Sequence, residues 1–310
     1  MPTTFDPSGL LGWVDQPERH ALAARHPQFR QIAPACMAAS ADDDGKKPVL
    51  LYKAITDVLG GWDKLPWVPQ AIGDCTSFGW GHSNDILQCV ELILGADTGD
   101  FAETCTEALY GLGREKAGMT GRRFAGDGCY GSALREAALE GMAPRFLLPA
   151  DRGGATYDGD RARRWGQQGI PTDVREICSR YKLGGSALVR TWAEFVAATR
   201  SGYPVAICSN WGGTYKRDAD GFLARGWKPW PHCMLLAGVR FDIEGAACLN
   251  SWPIGTFSGP VAFDLWQGGY WLRRADVEAI LAAGDSYALS MSPDFKPRPL
   301  PRRWTYDAAA

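Results

Sequence analysis

The chain has 310 residues, 45% of them hydrophobic and 22% charged, with a formal net charge of -2. That length can bury a substantial core as one large domain or two lobes, and the balance is that of a soluble globular protein. The near-neutral charge gives no bulk reason to expect a nucleic-acid or membrane partner, and no apolar run approaches the roughly 18 residues a membrane span needs. Nine cysteines are scattered through the sequence without a Cys-x-x-Cys pair, and several sit in apolar runs. This argues against a structural zinc site and for free thiols in a reducing, cytoplasmic compartment. The start, Met1-Pro2-Thr3-Thr4-Phe5-Asp6, lacks the basic and apolar stretches of a secretory signal.

In chain order, residues 1–61 read as an N-terminal extension, with short helices expected near 17–29 and 49–59 and a solvated charged loop at 42–47. Residues 62–150 read as a helical lobe. From Cys75 the apolar positions Phe78, Ile86, Val90 and Ile93 repeat at helical spacing, Asp74 is of N-cap type, and Gly95 is a C-terminal stop. Further helices are expected over 101–112 and 132–140, the second stopping at Gly141. Residues 151–169, rich in Gly, Asp and Arg and without apolar period, read as a crossing segment whose arginines are solvated.

Residues 170–292 read as a β-rich lobe. Strands are expected at 204–210, 232–241, 246–252, 270–273 and 287–291, with a hairpin turn at 242–245 and a short helix over 276–283. The fold class is therefore α+β. The tail, 293–310, is proline-rich and basic with Trp304 as an aromatic anchor, and it is expected to lie extended on a protein partner such as another subunit of an assembly.

Three residues carry the chemistry. Cys75 at a helix N-terminus leans toward thiolate, because the exposed N–H groups and the helix dipole favour an anion. Asp74 opposes that charge unless capping occupies it. His232 heads a strand and is the remaining candidate base, since His82 lies two turns, about 10.5 Å, along the helix from Cys75. The same spacing disfavours a metal held by Cys75, His82 and Cys89. The Asn250 side-chain oxygen can accept a hydrogen bond from an imidazole N–H and orient the ring, and Trp252 can shield that bond. Taken one at a time, each has an ordinary alternative: a buried thiol, a structural histidine, a turn residue, a core tryptophan.

Together these segments resemble the papain-like cysteine peptidases, in family order over roughly residues 62–292. Gly73-Asp74-Cys75-Thr76-Ser77-Phe78 is similar to the nucleophile segment, with Thr76 in place of the usual Trp, as in bacterial and phage-borne members. Gly128-Cys129-Tyr130-Gly131-Ser132 resembles the Gly-Cys-x-Gly-Gly element that pairs with substrate. The segment from Pro231 to Gly238 resembles the His strand, Asn250-Ser251-Trp252 the Asn-Ser-Trp turn, and Gly269-Tyr270-Trp271 the late Gly-Tyr strand.

The resemblance implies a two-lobed fold with the cleft between the lobes, and a Cys75 nucleophile, His232 base and acid, and Asn250 orienter, without metal or cofactor. It implies substrate contacts at Gly128, Gly131, Ser132 and Trp252. It also implies a Gln in the oxyanion hole six residues before the nucleophile, whereas Gln70 stands five before. Ile72 occupies the place of a disulfide cysteine in secreted members, leaving Cys129 free. Three readings follow: a thiol hydrolase of peptide or isopeptide bonds, another acyl transfer on the same triad such as peptidoglycan amide cleavage or transpeptidation, or a structural or assembly protein, such as a phage-particle component, that keeps the fold.

Overall fold

The computed structural model describes residues 5–42, 47–121, 126–152, 154 and 156–305. Most of the charged loop expected at 42–47 lies outside them, as do residues 306–310 of the tail. The chain runs through α1 (Pro17–Ala23), α2 (Phe29–Ile32), α3 (Pro34–Asp42) and α4 (Lys53–Leu59) into α5 (Cys75–Leu94), α6 (Thr106–Lys116), α7 (Gly131–Glu140), α8 (Gly159–Gln168) and α9 (Thr172–Cys178). Then come β1 (Gly185–Leu188), α10 (Trp192–Arg200), β2 (Val205–Ser209), β3 (Gly213–Arg217), β4 (Leu223–Arg225), β5 (His232–Arg240), β6 (Gly245–Leu249), β7 (Gly269–Arg273), α11 (Arg274–Ala282) and β8 (Tyr287–Ser290). A six-stranded antiparallel sheet, in the order β1-β8-β2-β5-β6-β7, faces a helical layer, and β3 and β4 form a separate hairpin. The architecture is α+β, as the sequence predicts.

The two layers meet where α5 packs on β5 and β2. Gly79 makes this approach possible, since a Cβ there would stand 2.6 Å from Cys233 Sγ and 3.0 Å from the Met234 carbonyl oxygen. Every residue of β5 is buried, so this strand is covered on both faces and its sequence is nearly continuously apolar. α5 ends at Gly95, in the left-handed region at φ 70°, which glycine adopts without a Cβ penalty.

Three expectations are corrected. The segment 151–169 is not a featureless crossing: it holds α8, capped by Asp158, whose Oδ1 accepts the N–H groups of Asp160 and Arg161 at 2.8 and 3.0 Å. Its buried face includes Arg161, Trp165 and Gly166, packed on α6. Arg161 is therefore not solvated; with Arg145 it pairs with the fully buried carboxylate of Glu107 at 2.6 and 2.8 Å. Burying Glu107 requires such partners, and they supply the apolar period's missing explanation.

The helix expected over 101–112 begins instead at Thr106, because residues 104 and 105 are tied to Asp85 Oδ1 and to the Ala143 carbonyl, both at 2.9 Å.

The tail, expected to reach a partner, lies on its own chain. Phe295 packs between Phe29 and Tyr203 with ring centroids 5.3 and 4.8 Å away. Arg298 bonds Glu91, the Ser201 carbonyl and the Gly202 carbonyl. Trp304 is fully buried and donates its indole N–H to Asp57 Oδ2 at 2.6 Å. The extension is likewise built into the core, through buried Leu50, Leu51, Tyr52 and Ile55.

Candidate active site

Cys75 is the first residue of α5 and is completely buried. Burial pushes its thiol well above the usual range; Cys233 and Asp74 add to the push, while the N–H groups of Cys233 and Gly12 facing the sulfur oppose it. In this state the residue is a neutral thiol. Asp74 occupies the N-cap position without capping the helix. Its carboxyl turns away to Tyr157, whose hydroxyl donates to Oδ2 at 3.0 Å. Burial raises the Asp74 pKa well above the ordinary carboxylate range, and nearby Glu107 and Asp127 add to it against the Tyr157 hydrogen bond. Burial thus disfavours an Asp74 carboxylate beside a Cys75 thiolate, although the carboxyl does not cap the helix.

His232 begins β5, and Asn250 directly follows β6, the strand hairpinned to it. The hairpin brings the imidazole and the amide together: His232 Nε2 lies 2.8 Å from Asn250 Oδ1. That oxygen also accepts the Ser251 N–H at 2.7 Å. A main-chain N–H can only donate, so the Asn250 atom is an acceptor and His232 Nε2 must carry the proton. In the neutral ring Nδ1 then holds the free lone pair, as a general base for a thiol requires. Nδ1 has no hydrogen-bond partner in this structure, so the thiol–imidazole bond of a working Cys–His pair is not made in this state. Burial holds the imidazole down at about 4, against the raising effect of the Asn250 bond. Trp252 stacks on the ring, with centroids 4.8 Å apart and planes 30° apart, and is itself buried.

The site is closed by the chain's own N-terminal segment. Cys129 N–H donates to the Gly12 carbonyl at 2.8 Å and Val14 N–H donates to the Cys129 carbonyl at 2.8 Å, a ladder in which Trp13 and Cys129 are parallel partners. Trp13 N–H donates to the Pro231 carbonyl at 3.0 Å. Its indole N–H reaches Asp285 Oδ2 at 2.9 Å. Gly12 passes so close to Gly73 that a Cβ would fall 1.7 Å from the Gly73 oxygen. Residues 10–14 thus run from the nucleophile loop to the head of the His strand.

Gln70 lies beside this segment. Its Nε2 donates to the Leu10 carbonyl at 2.7 Å and to the Ile72 carbonyl at 2.8 Å, its Oε1 accepts from the Ser251 hydroxyl, and its own N–H bonds the Ser251 carbonyl. Although one position nearer the nucleophile than the resemblance implies, the amide is in the site and faces a peptide carbonyl. The pairing element behaves differently from expectation. Gly128 spends its N–H on Tyr110 and its carbonyl on Arg114, and the Gly131 N–H goes to Asp285 at 2.7 Å. Ser132 is buried in α7. Main-chain pairing falls to Cys129, between them.

His82 stacks on Trp67 with centroids 3.6 Å apart and is a core residue. The stretch Leu10-Leu11-Gly12-Trp13-Val14 carries only a weak sequence signal, a short apolar run in a segment otherwise broken by Pro, Gly and Asp. Tyr157 and Asp285 carry no local signal, whereas Ser251 belongs to the Asn-Ser-Trp turn.

No family model matches the chain, and no curated protein matches it. Among solved structures it is similar to xylellain, a cysteine protease from Xylella fastidiosa, at 14% identity and TM-score 0.49, covering 94% of each chain. It is similar to the Amb a 11 cysteine protease of ragweed pollen in its proform, at 16% identity and TM-score 0.49, over 89% of this chain and 74% of that one. It is also similar to the bromelain protease from Ananas comosus, at 13% identity and TM-score 0.46, over 78% and 98%.

Proposed function

We propose that the chain is a papain-like thiol hydrolase of peptide or isopeptide bonds, described here in a closed state. The carrying observation is that a stretch of polypeptide, residues 10–14, lies main chain to main chain across Cys75 with a peptide carbonyl on Gln70. A cleft that takes one peptide this way has the hydrogen-bonding edge to take another.

When the segment leaves, water reaches Cys75 and His232, so the burial that holds both neutral is relieved. The thiol proton passes to His232 Nδ1, and the thiolate attacks the substrate carbonyl carbon. The oxyanion is met by the Cys75 N–H and Gln70 Nε2. His232, held by Asn250, returns the proton to the leaving amine, and water then hydrolyses the thioester by the same base. Other amide bonds, including those of peptidoglycan, fit the same chemistry.

The second reading, a structural or assembly protein such as a phage-particle component, is favoured by one observation: Cys75 and His232 make no hydrogen bond and are sealed from solvent. A peptide-library assay on the full chain and on Trp13→Ala, each with a Cys75→Ala control, separates the two. Cleavage that appears or rises in Trp13→Ala and vanishes without Cys75 is the expected result. A folded Trp13→Ala protein with neither cleavage nor Cys75 alkylation overturns the hydrolase reading.

A further inference from the structure

Cys75 is not the only thiol at the seam between α5 and the sheet. Cys208 and Cys233 stand directly opposite each other in the β2–β5 register, so their side chains share one face. Directly opposed residues of an antiparallel pair have Cα atoms about 4.5 or 5.5 Å apart, inside the roughly 4.4–6.8 Å window of a disulfide. The face is the one toward α5, because Cys233 Sγ fills the space left by the missing Cβ of Gly79. Gly79 is one helical turn beyond Cys75, on the same side of the helix. The Cys233 N–H faces the Cys75 sulfur, and the Cys208 thiol senses both neighbours. Cys248, by contrast, contacts Met234 at 3.6 Å on the opposite face of β5. Three thiols therefore form a row from the nucleophile into the sheet, and the hydrolytic mechanism uses only the first.

We propose that Cys233 and Cys208 form a dithiol relay that carries oxidation away from Cys75; this rests on the reading of Cys75 as a reactive nucleophile. Hydrogen peroxide takes two electrons from the Cys75 thiolate: the O–O bond breaks, an S–O bond forms, and hydroxide leaves, giving the sulfenic acid. The Cys233 thiol attacks that sulfur, water departs, and a Cys75–Cys233 disulfide forms. Cys208 then attacks the Cys233 sulfur, which releases Cys75 as a thiol and leaves the cross-strand Cys208–Cys233 disulfide. A thiol reductant resets the pair. The relay competes with further oxidation of Cys75 to sulfinic acid, which thiol reductants do not reverse.

The test treats the full chain and Trp13→Ala with hydrogen peroxide, blocks free thiols, and maps peptides without reduction by mass spectrometry. Peptidase activity and iodoacetamide labelling of Cys75 are measured beforehand. The expected products are a Cys208–Cys233 bridge in the parent protein and a trapped Cys75–Cys233 bridge in Cys208→Ala. In Cys233→Ala, at least about tenfold more sulfinic acid should accumulate at Cys75. Equal sulfinic acid at Cys75 in parent and variants, or peroxide treatment of a labelling-competent protein that yields neither bridge, overturns the relay while leaving the hydrolase reading intact. A Trp13→Ala protein that neither cleaves peptides nor labels at Cys75 removes the hydrolase reading and the relay with it.

Discussion

The Leu10 carbonyl oxygen lies 2.7 Å from the side-chain nitrogen of Gln70. The amide expected to steady a substrate's oxyanion is thus engaged by the protein's own backbone, a few residues from where Gly12 crosses Gly73. The same segment crosses the nucleophile loop at Gly73 and bonds Pro231 at the head of the His strand, where Cys75 and His232 are buried.

Gly12→Ala should open the site. Its new Cβ has no room beside the Gly73 carbonyl, and overpacking of this kind costs about 1–3 kcal/mol, roughly a tenfold or greater rise in the open population. Iodoacetamide labelling of Cys75 at neutral pH should accelerate accordingly, with the thermal midpoint little changed. Labelling that stays at the parent rate would mean that residues 10–14 do not control access.

Asn250→Ala, made in the Trp13→Ala background, should lower kcat on the order of 10²-fold with KM nearly constant, because the ring loses the acceptor that fixes its tautomer but the peptide-binding edge is untouched. Steady-state kinetics on a cleaved peptide would check this. A pure rise in KM would point to a role in binding instead.

Acid should weaken the fold through its buried histidines. The His232 pKa drops from 6.5 to about 4 and that of His82 from 6.5 to about 3, in both cases chiefly by burial. With folded values below unfolded ones, their contribution is present above pH 6.5 and is lost as pH falls toward 4 and then 3. For His232 this amounts to about 3 kcal/mol at most. Asp85 and Glu103, raised by burial to about 6 and about 7, act in the opposite sense, since the folded state binds their protons first. The informative measurement is therefore a difference: urea midpoints between pH 7 and 4 should fall less in His82→Gln than in the parent protein. Parallel pH profiles would refute the assignment.

Trp304→Ala should cost about 3–5 kcal/mol, the range for deleting a fully buried large aromatic. The tail's aromatic and basic residues are occupied within the chain, so removing residues 293–310 should lower the denaturation midpoint of the monomer. Equilibrium unfolding of the truncated protein would show it, and an unchanged midpoint would restore the tail to a partner-binding role.

What could be read from the sequence was local or repeated in a short window. α5 announced itself by its helical apolar spacing and Gly95. The β5–β6 hairpin did so by two apolar runs around residues 242–245, and with it came the meeting of His232 and Asn250, because a hairpin fixes which residues lie near its ends. α8 did not read as a helix, since its buried face contains Arg161 and Gly166. Arg161 is tolerable there only because Glu107, 54 residues earlier, waits inside.

The sequence by itself therefore determined the α+β class and the thiol, imidazole and amide that can act together. Tertiary structure decided the state they are in. Pairing of residues 12–14 with Cys129 and Pro231, the carbonyl on Gln70, the buried Asp74 bonded by Tyr157 and the row from Cys75 through Cys233 to Cys208 all join segments far apart in the chain. Hydrogen bonds and burial of that kind exist only once the chain is folded, and no local pattern of residue types encodes them.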